Sequence, residues 1–264
     1  MSCGNSARFA AGWLSCVFAL PISATAAAPQ TIAYGRFGEI TIYGGLPEPR
    51  EVVLFMSGDG GWNLGVIAMA QRLAGKGALV AGVDIRHYLT ELEKSADQCV
   101  NPASDLEDLS RGLQAESGIK HPLQPTLVGY SSGATLVYAA LVEAKAGTFK
   151  GALSIGFCPD LDLKKPLCKG SGIDSIARRS PKGELQGVDL LPAKMLGGKW
   201  ISLQGQLDQV CPAAQTQEFV AKVPGGELVM LPKVGHGYSV EENWLPQYEA
   251  AYDRITAAEV ASGR

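Results

Sequence analysis

The sequence predicts an α/β fold with a mostly parallel central sheet and helices on both faces. Three observations lead there. Short apolar runs alternate with helical patterns along most of the 264 residues, as repeated βα units require. The runs Glu51–Met56 and Ala78–Val83 are almost continuously apolar rather than alternating, which fits strands buried on both faces. A G-x-S-x-G, Gly129-Tyr130-Ser131-Ser132-Gly133, stands between an apolar run and a helical one.

Taken in order, Thr31–Phe37 and Glu39–Tyr43 read as a starting hairpin, and Glu51–Met56 as the next strand. After a glycine-rich turn the pattern predicts a helix over Leu64–Gly75, a strand over Ala78–Val83 and a helix over Asp105–Glu116. Pro125–Gly129 leads into the G-x-S-x-G, and Ala134–Leu141 is helical in pattern. Gly151–Gly156, Lys199–Gln204 and Glu227–Leu231 read as strands, Ala213–Lys222 and Asn243–Ala258 as helices. Two stretches interrupt the alternation, near 88–103 and 159–198, and read as irregular, lid-like excursions. No internal repeat or low-complexity tract is present.

Composition narrows the function classes. Hydrophobic residues make up 46% and charged residues 19%, enough for a sizeable core. The net charge is −3 with no basic run, so nucleic-acid binding and a polybasic membrane anchor have no electrostatic support. At the N-terminus, Arg8 precedes the apolar stretch Phe9–Leu20, and Ala24-Thr25-Ala26 has the small-x-small form of a cleavage site. Residues 1–26 are therefore expected to be a cleaved export signal, leaving one mature domain over 27–264 in the periplasm, with no integral membrane segment. An uncleaved anchor, or lipidation at Cys16, are the alternatives. Of six cysteines, Cys99, Cys158, Cys168 and Cys211 remain after cleavage. Four cysteines in an exported chain point to two disulfides with three possible pairings. Cys158–Cys168 is preferred, because a short loop closes easily. The spacing is not that of a zinc site, and no metal or cofactor is expected.

The motif chemistry points to a nucleophilic hydroxyl. A serine on a sharp strand-to-helix turn exposes its oxygen above the sheet, and the backbone N–H of the following residue, Ser132, faces the developing oxyanion. A serine needs a base, and the base an orienting carboxylate. Of the three histidines, His236 in Gly235-His236-Gly237 lies past the last predicted strand, where the base belongs in chain order. His87 reads as a satisfied surface or lid residue, and His121 sits in a loop before the strand that leads to the serine motif. Asp208 follows the strand Lys199–Gln204 and is the candidate acid; Asp174 and Asp189 fall in the second excursion. The turn Ser57-Gly58-Asp59-Gly60-Gly61-Trp62 offers a second oxyanion donor at the N–H of Asp59. It lacks the lysine of a phosphate-binding loop.

These residues resemble a family. Ser57-Gly58-Asp59-Gly60-Gly61-Trp62, Gly82-Val83-Asp84 and Gly129-Tyr130-Ser131-Ser132-Gly133-Ala134 are similar to the bacterial VirJ/AcvB virulence proteins, which belong to the α/β-hydrolases. The resemblance implies a periplasmic serine hydrolase with Ser131, Asp208 and His236 as nucleophile, acid and base. It further implies an aminoacylated phospholipid, alanyl- or lysyl-phosphatidylglycerol, as the substrate. The chain departs from the family's pattern at Ser132, where an aromatic residue is usual, and over Phe157–Ser180. Asp59 and Asp84 are expected at the C-terminal edge of the sheet, where open α/β folds bind ligands, and either carboxylate could receive the substrate ammonium. Trp62 and Tyr130 are candidates for the lining of the substrate path, with packing against the following helix the alternative for Trp62. A broader periplasmic esterase or lipase, and a non-catalytic chaperone or secretion adaptor on the same scaffold, are the rival readings.

Overall fold

The computed structural model describes residues 28–46 and 48–257. The expected export signal and its cleavage after Ala26 lie outside the described residues. The main sheet has eight strands in the order β1-β2-β4-β3-β5-β6-β10-β11. These are β1 (Gln30–Ala33), β2 (Glu39–Tyr43), β3 (Glu51–Met56), β4 (Ala78–Val83), β5 (Thr126–Tyr130), β6 (Gly151–Ile155), β10 (Lys199–Gly205) and β11 (Gly226–Leu231). Strands β1 and β2 pair antiparallel, and β2 joins β4 antiparallel; every other neighbouring pair is parallel. The predicted α/β class and mostly parallel sheet are borne out.

Period-two alternation divides the core. Val52, Leu54 and Met56 of β3 point to one face, Val53 and Phe55 to the other. The first face is covered by helices α2 (Ile85–Lys94), α3 (Pro102–Glu116), α4 (Ser132–Glu143) and α5 (Ala213–Val220), the second by α1 (Leu64–Gly75) and α6 (Leu245–Thr256). Helix α4 is buried from Gly133 through Val142, as expected of a helix that crosses the middle of the sheet. Both faces being covered explains the continuous apolar runs of β3 and β4.

The two excursions are more ordered than their composition suggested. The first begins with α2, whose Ile85, Tyr88, Leu89 and Leu92 form a buried i, i+3, i+4, i+7 stripe, with Tyr88 stacked on Phe37. Asp84 caps it by accepting from the Arg86 amide at 2.9 Å. The second contains a three-stranded antiparallel sheet of β7 (Asp160–Leu161), β8 (Ser175–Arg179) and β9 (Leu185–Leu190), in the order β7-β9-β8.

Two disulfides form, as the even count implied, but not with the preferred pairing. Cys99 bonds Cys168, and Cys158 bonds Cys211. Loop length alone misjudged this because neighbours in space decide. Residue 158 follows β6 and residue 211 follows the adjacent strand β10. Cys99 and Cys168 flank a short bridge between Val100 and Leu167. The bridges span 69 and 53 residues, and each contributes about 2–4 kcal/mol by restricting the unfolded chain. Two disulfides suggest an oxidising, exported compartment. Among the described residues no helix is long and apolar enough to cross a membrane.

Candidate active site

Sheet topology places the site. From β3 the chain moves one way to β4, then returns to the other side of β3 for β5. The turns leaving β3 and β5 therefore lie side by side at a switch point, with Met56 in register with Gly129. Such crevices at the C-terminal ends of strands are where open sheets bind ligands.

Ser131 sits on the β5–α4 turn with φ 55° and ψ −123°. That conformation is costly for a residue with a side chain and persists only where the surroundings enforce it. Here they do. A side chain on Gly129 would strike the carbonyl of Gly133, and one on Gly133 would strike the carbonyls of Met56 and Ser57. The two flanking glycines thus permit strand and helix to approach closely enough for the turn to close.

His236 is brought to this serine by the loop after β11. Its Nε2 is 3.0 Å from Ser131 Oγ, and its Nδ1 is 2.8 Å from Asp208 Oδ2. The Asp208 side chain is fully buried. It accepts from Gln204 Nε2 at 3.1 Å and from the amides of Val210 and Cys211 at 2.9 and 2.8 Å. With donors from Gln204, Val210 and Cys211 already on the Asp208 oxygens, the arrangement suits Nδ1 as donor to Oδ2 and Nε2 as acceptor from the serine hydroxyl. Tyr130 steadies the histidine loop: its hydroxyl donates to the carbonyl of His236 at 2.7 Å. Burial, with the Asp208 charge adding to it, pushes the Tyr130 phenol up to about 12, which keeps that donor protonated. Tyr238 anchors the far side of the loop through its hydroxyl to the carbonyl of Leu203 at 2.8 Å.

The turn after β3 is fixed before any ligand arrives. Ser57 Oγ donates to the carbonyl of Gly58 and accepts from the amide of Ile85, both at 3.1 Å. The Gly61 amide closes the turn onto Gly58 at 2.8 Å, and Asn63 Nδ2 donates to the carbonyl of Gly60. Among the described residues, neither the Asp59 nor the Ser132 amide donates to a protein acceptor. A cleft of about 360 Å³ opens between this turn and the triad, with Asp59, Met69, Tyr130, Ser131, Val210 and His236 in its wall. A larger concavity of about 680 Å³, with Lys164, Lys169 and Arg179 in its wall, contains no nucleophile–base pair.

Several expected positions fall elsewhere. Asp84 is outside the cleft wall. Its carboxylate is bound by the Arg86 guanidinium, at 2.6 Å to Nη2 and 3.1 Å to Nε, and by the Trp62 amide at 3.4 Å. Burial pushes the carboxyl up, and these donors more than offset it, so it stays below its ordinary value. Asp84 is thus not a free acceptor for a substrate ammonium. Trp62 also lies outside the cleft: it packs edge-on to Phe55 and donates from Nε1 to Tyr43 Oη at 3.1 Å. Asp59 is exposed in the cleft wall and forms no ion pair among the described residues. His87 and His121 are exposed, and neither bonds to Ser131. Gln204 was missed, because a single glutamine at the end of an apolar run is a weak signal. Asp208, Cys211 and His236 bring ligand-type atoms within 4.8 Å of one another. The Cys211 sulfur is bonded to Cys158 and the other two bond each other, so the trio is not a metal-binding set.

Fold and site geometry together define a protein of the α/β-hydrolase fold. The esterase domain of a Rhodothermus marinus protein has the same fold, with a TM-score of 0.53 and 18% identity over 86% of this chain and 97% of that one. Thermogutta terrifontis esterase 2, solved after phosphoramylation by tabun, gives a TM-score of 0.60 and 16% identity over 93% of this chain and all of that one. Residues 50–153 match the family model of the bacterial virulence protein VirJ, which bears out the resemblance read from the turn after β3 and the serine motif. No curated protein sequence matches the chain.

Proposed function

We propose that the protein is a periplasmic serine hydrolase that cleaves the aminoacyl ester of aminoacyl-phosphatidylglycerol through an acyl-enzyme on Ser131. The observation that carries the hydrolase reading is the hydrogen-bonded chain from Ser131 through His236 to the buried Asp208. In this reading His236 Nε2 takes the hydroxyl proton as Ser131 Oγ attacks the ester carbonyl. The amides of Ser132 and Asp59, which no protein acceptor uses, receive the oxyanion. His236 then gives its proton to the glycerol oxygen, and the lipid leaves. Water, activated by the same imidazole, hydrolyses the aminoacyl–serine ester and releases the free amino acid. Asp208 keeps the imidazole in the productive tautomer and stabilises its cationic form.

The cleft supports an aminoacyl ester. About 360 Å³ accommodates an alanyl or lysyl group. The exposed Asp59 carboxylate in its wall is suited to the substrate ammonium, in a charge-assisted hydrogen bond of about 1.5–3 kcal/mol. The family resemblance supplies the lipid class.

The test is to incubate the purified protein with alanyl- and lysyl-phosphatidylglycerol and, separately, with a short neutral ester. At least one lipid should lose its amino acid, with the neutral ester about ten- to a hundredfold poorer in kcat/KM. Because Asp84 is tied to Arg86, Asp59 alone remains of the expected acidic edge, and a broader carboxylesterase is the second reading. Rapid cleavage of the neutral ester with both lipids intact establishes that one. No turnover of any ester leaves the non-catalytic adaptor.

A further inference from the structure

The segment that carries Asp208 is held in an unusual way. Between the end of β10 at Gly205 and the start of α5 at Ala213 it has no regular secondary structure. Its two large aliphatic side chains do not anchor it by burial: Leu207 is 61% and Val210 64% exposed. Yet two of the amides that hold the Asp208 carboxylate, those of Val210 and Cys211, come from this same segment. The amides of Gln206 and Leu207 pin the first half of the segment to the carbonyls of Leu231 and Val234, but for the half that carries the Val210 and Cys211 amides no large apolar side chain supplies the usual restraint on a loop.

Two features supply the restraint. Cys211 is bonded to Cys158, and Gln204 Nε2 bridges Asp208 Oδ2 and the carbonyl of Cys211, at 3.1 and 2.7 Å. The other end of the cross-link is firm. The carbonyl of Cys158 accepts from Thr135 Oγ1, and the carbonyl of Phe157 from Thr216 Oγ1 at 2.7 Å. The Phe157 ring is wholly buried among Tyr138, Trp200 and Phe219. The disulfide therefore ties a loop without regular secondary structure to one of the best-packed parts of the core.

We propose that the Cys158–Cys211 disulfide, acting with Gln204, is the positioning element for the acid of the triad. It aims the Val210 and Cys211 amides at Asp208 Oδ1, leaving Oδ2 to hold the His236 imidazole. Cys99–Cys168, by contrast, joins the segment after α2 to the loop after β7 and contributes no atom to the triad. The proposal rests on the reading of Ser131 as an esterolytic nucleophile, and it adds a covalent requirement to that reading.

The experiment compares two double variants with the unaltered protein: Cys158→Ala/Cys211→Ala and Cys99→Ala/Cys168→Ala. Two readouts are taken on folded material: kcat and KM on the ester the protein cleaves best, and the downfield 1H resonance of the His236 Nδ1 proton bonded to Asp208. Loss of Cys158–Cys211 should lower kcat about ten- to a hundredfold, with KM within about twofold, as expected when a reacting group is misplaced by a fraction of an ångström to an ångström. The downfield resonance should broaden or vanish. Loss of Cys99–Cys168 should leave both readouts unchanged while lowering the melting temperature. Gln204→Met keeps the disulfide and removes one donor. It should lower kcat about fivefold and shift the resonance, and it serves if the first variant does not fold. Unchanged kcat and resonance in the variants that fold would overturn the proposal. If the unaltered protein cleaves no ester, the hydrolase reading fails, and the resonance alone still decides whether the disulfide positions Asp208.

Discussion

Asp84 and Asp208 stand in comparable places, each in the turn just past the C-terminal end of a strand of the same sheet, and the chain uses them oppositely. Asp84 is partly exposed and receives the guanidinium and amide of its near neighbour Arg86. Its carboxylate begins a helix and closes a local ion pair. Asp208 is buried, receives amides from its own loop, and presents its remaining oxygen to a histidine 28 residues further along the chain. Both carboxylates are satisfied, but only one is satisfied by a group that can pass a proton to a third residue. The lesson is that a place at the sheet edge does not make a site. The partner does, and the partner of Asp208 comes from another loop.

That contrast yields expectations that decrease in size. Asp208→Asn should lower kcat by about three to four orders of magnitude while the protein stays folded, because the amide favours the wrong imidazole tautomer. Retained turnover would place the acid elsewhere. A third acid sharpens the comparison through stability. Glu143, near the end of α4, is pushed up to about 7 by burial, with Asp105 adding to the effect and a hydrogen bond from the Ala103 amide opposing it. A carboxyl raised in the folded state gives its full stability below its unfolded pKa, and loses it as pH rises through the folded value. The window here runs from about pH 4.5 to about 7. Glu143→Gln should therefore be more stable than the parent by about 3 kcal/mol at pH 8 and nearly equal to it at pH 4, measured by urea denaturation at both. An equal difference at the two pH values would contradict the burial account.

The two remaining acids give smaller effects. Asp59→Asn should reduce preference for an aminoacyl ester over a neutral one by about tenfold, with turnover of the neutral ester nearly unchanged. A loss shared equally by both esters would remove Asp59 from ammonium recognition. Asp84→Ala should cost about 1 kcal/mol through its helix cap and leave the kinetics within about twofold. A large kinetic loss would mean that the Asp84–Arg86 pair acts on the cleft after all.

Legibility in the sequence followed the same division between local and distant partners. Helix α1 spans the predicted Leu64–Gly75, because glycine turns and an apolar stripe specify it locally. The serine turn was legible for the same reason: strand, glycines and helix are contiguous. Helix α2 was readable too, from Asp84 as its cap and the spacing of Ile85, Tyr88, Leu89 and Leu92, but its polar face made the stretch look irregular. The hairpin of β8 and β9 is marked by Ser180-Pro181-Lys182-Gly183, yet β8 is largely exposed and β9 sets its buried Val188 and Leu190 among glycine and polar residues, so neither carries a strong apolar signal. The tie between Asp84 and Arg86 and the bridge from Gln204 to Asp208 and Cys211 are local but turn on side-chain orientation, whereas disulfide pairing depends on which loops meet above the sheet. Nothing in the spacing of the cysteines encodes it.

The central claim is that Ser131 is a nucleophile activated by His236. It is tested most directly by adding a fluorophosphonate to the folded protein and locating the adduct by peptide mass spectrometry. The account predicts one adduct, on Ser131, which is absent from Ser131→Ala and forms at least about a hundredfold more slowly in His236→Ala. An unlabelled folded protein, or an adduct that persists elsewhere in Ser131→Ala, would contradict it.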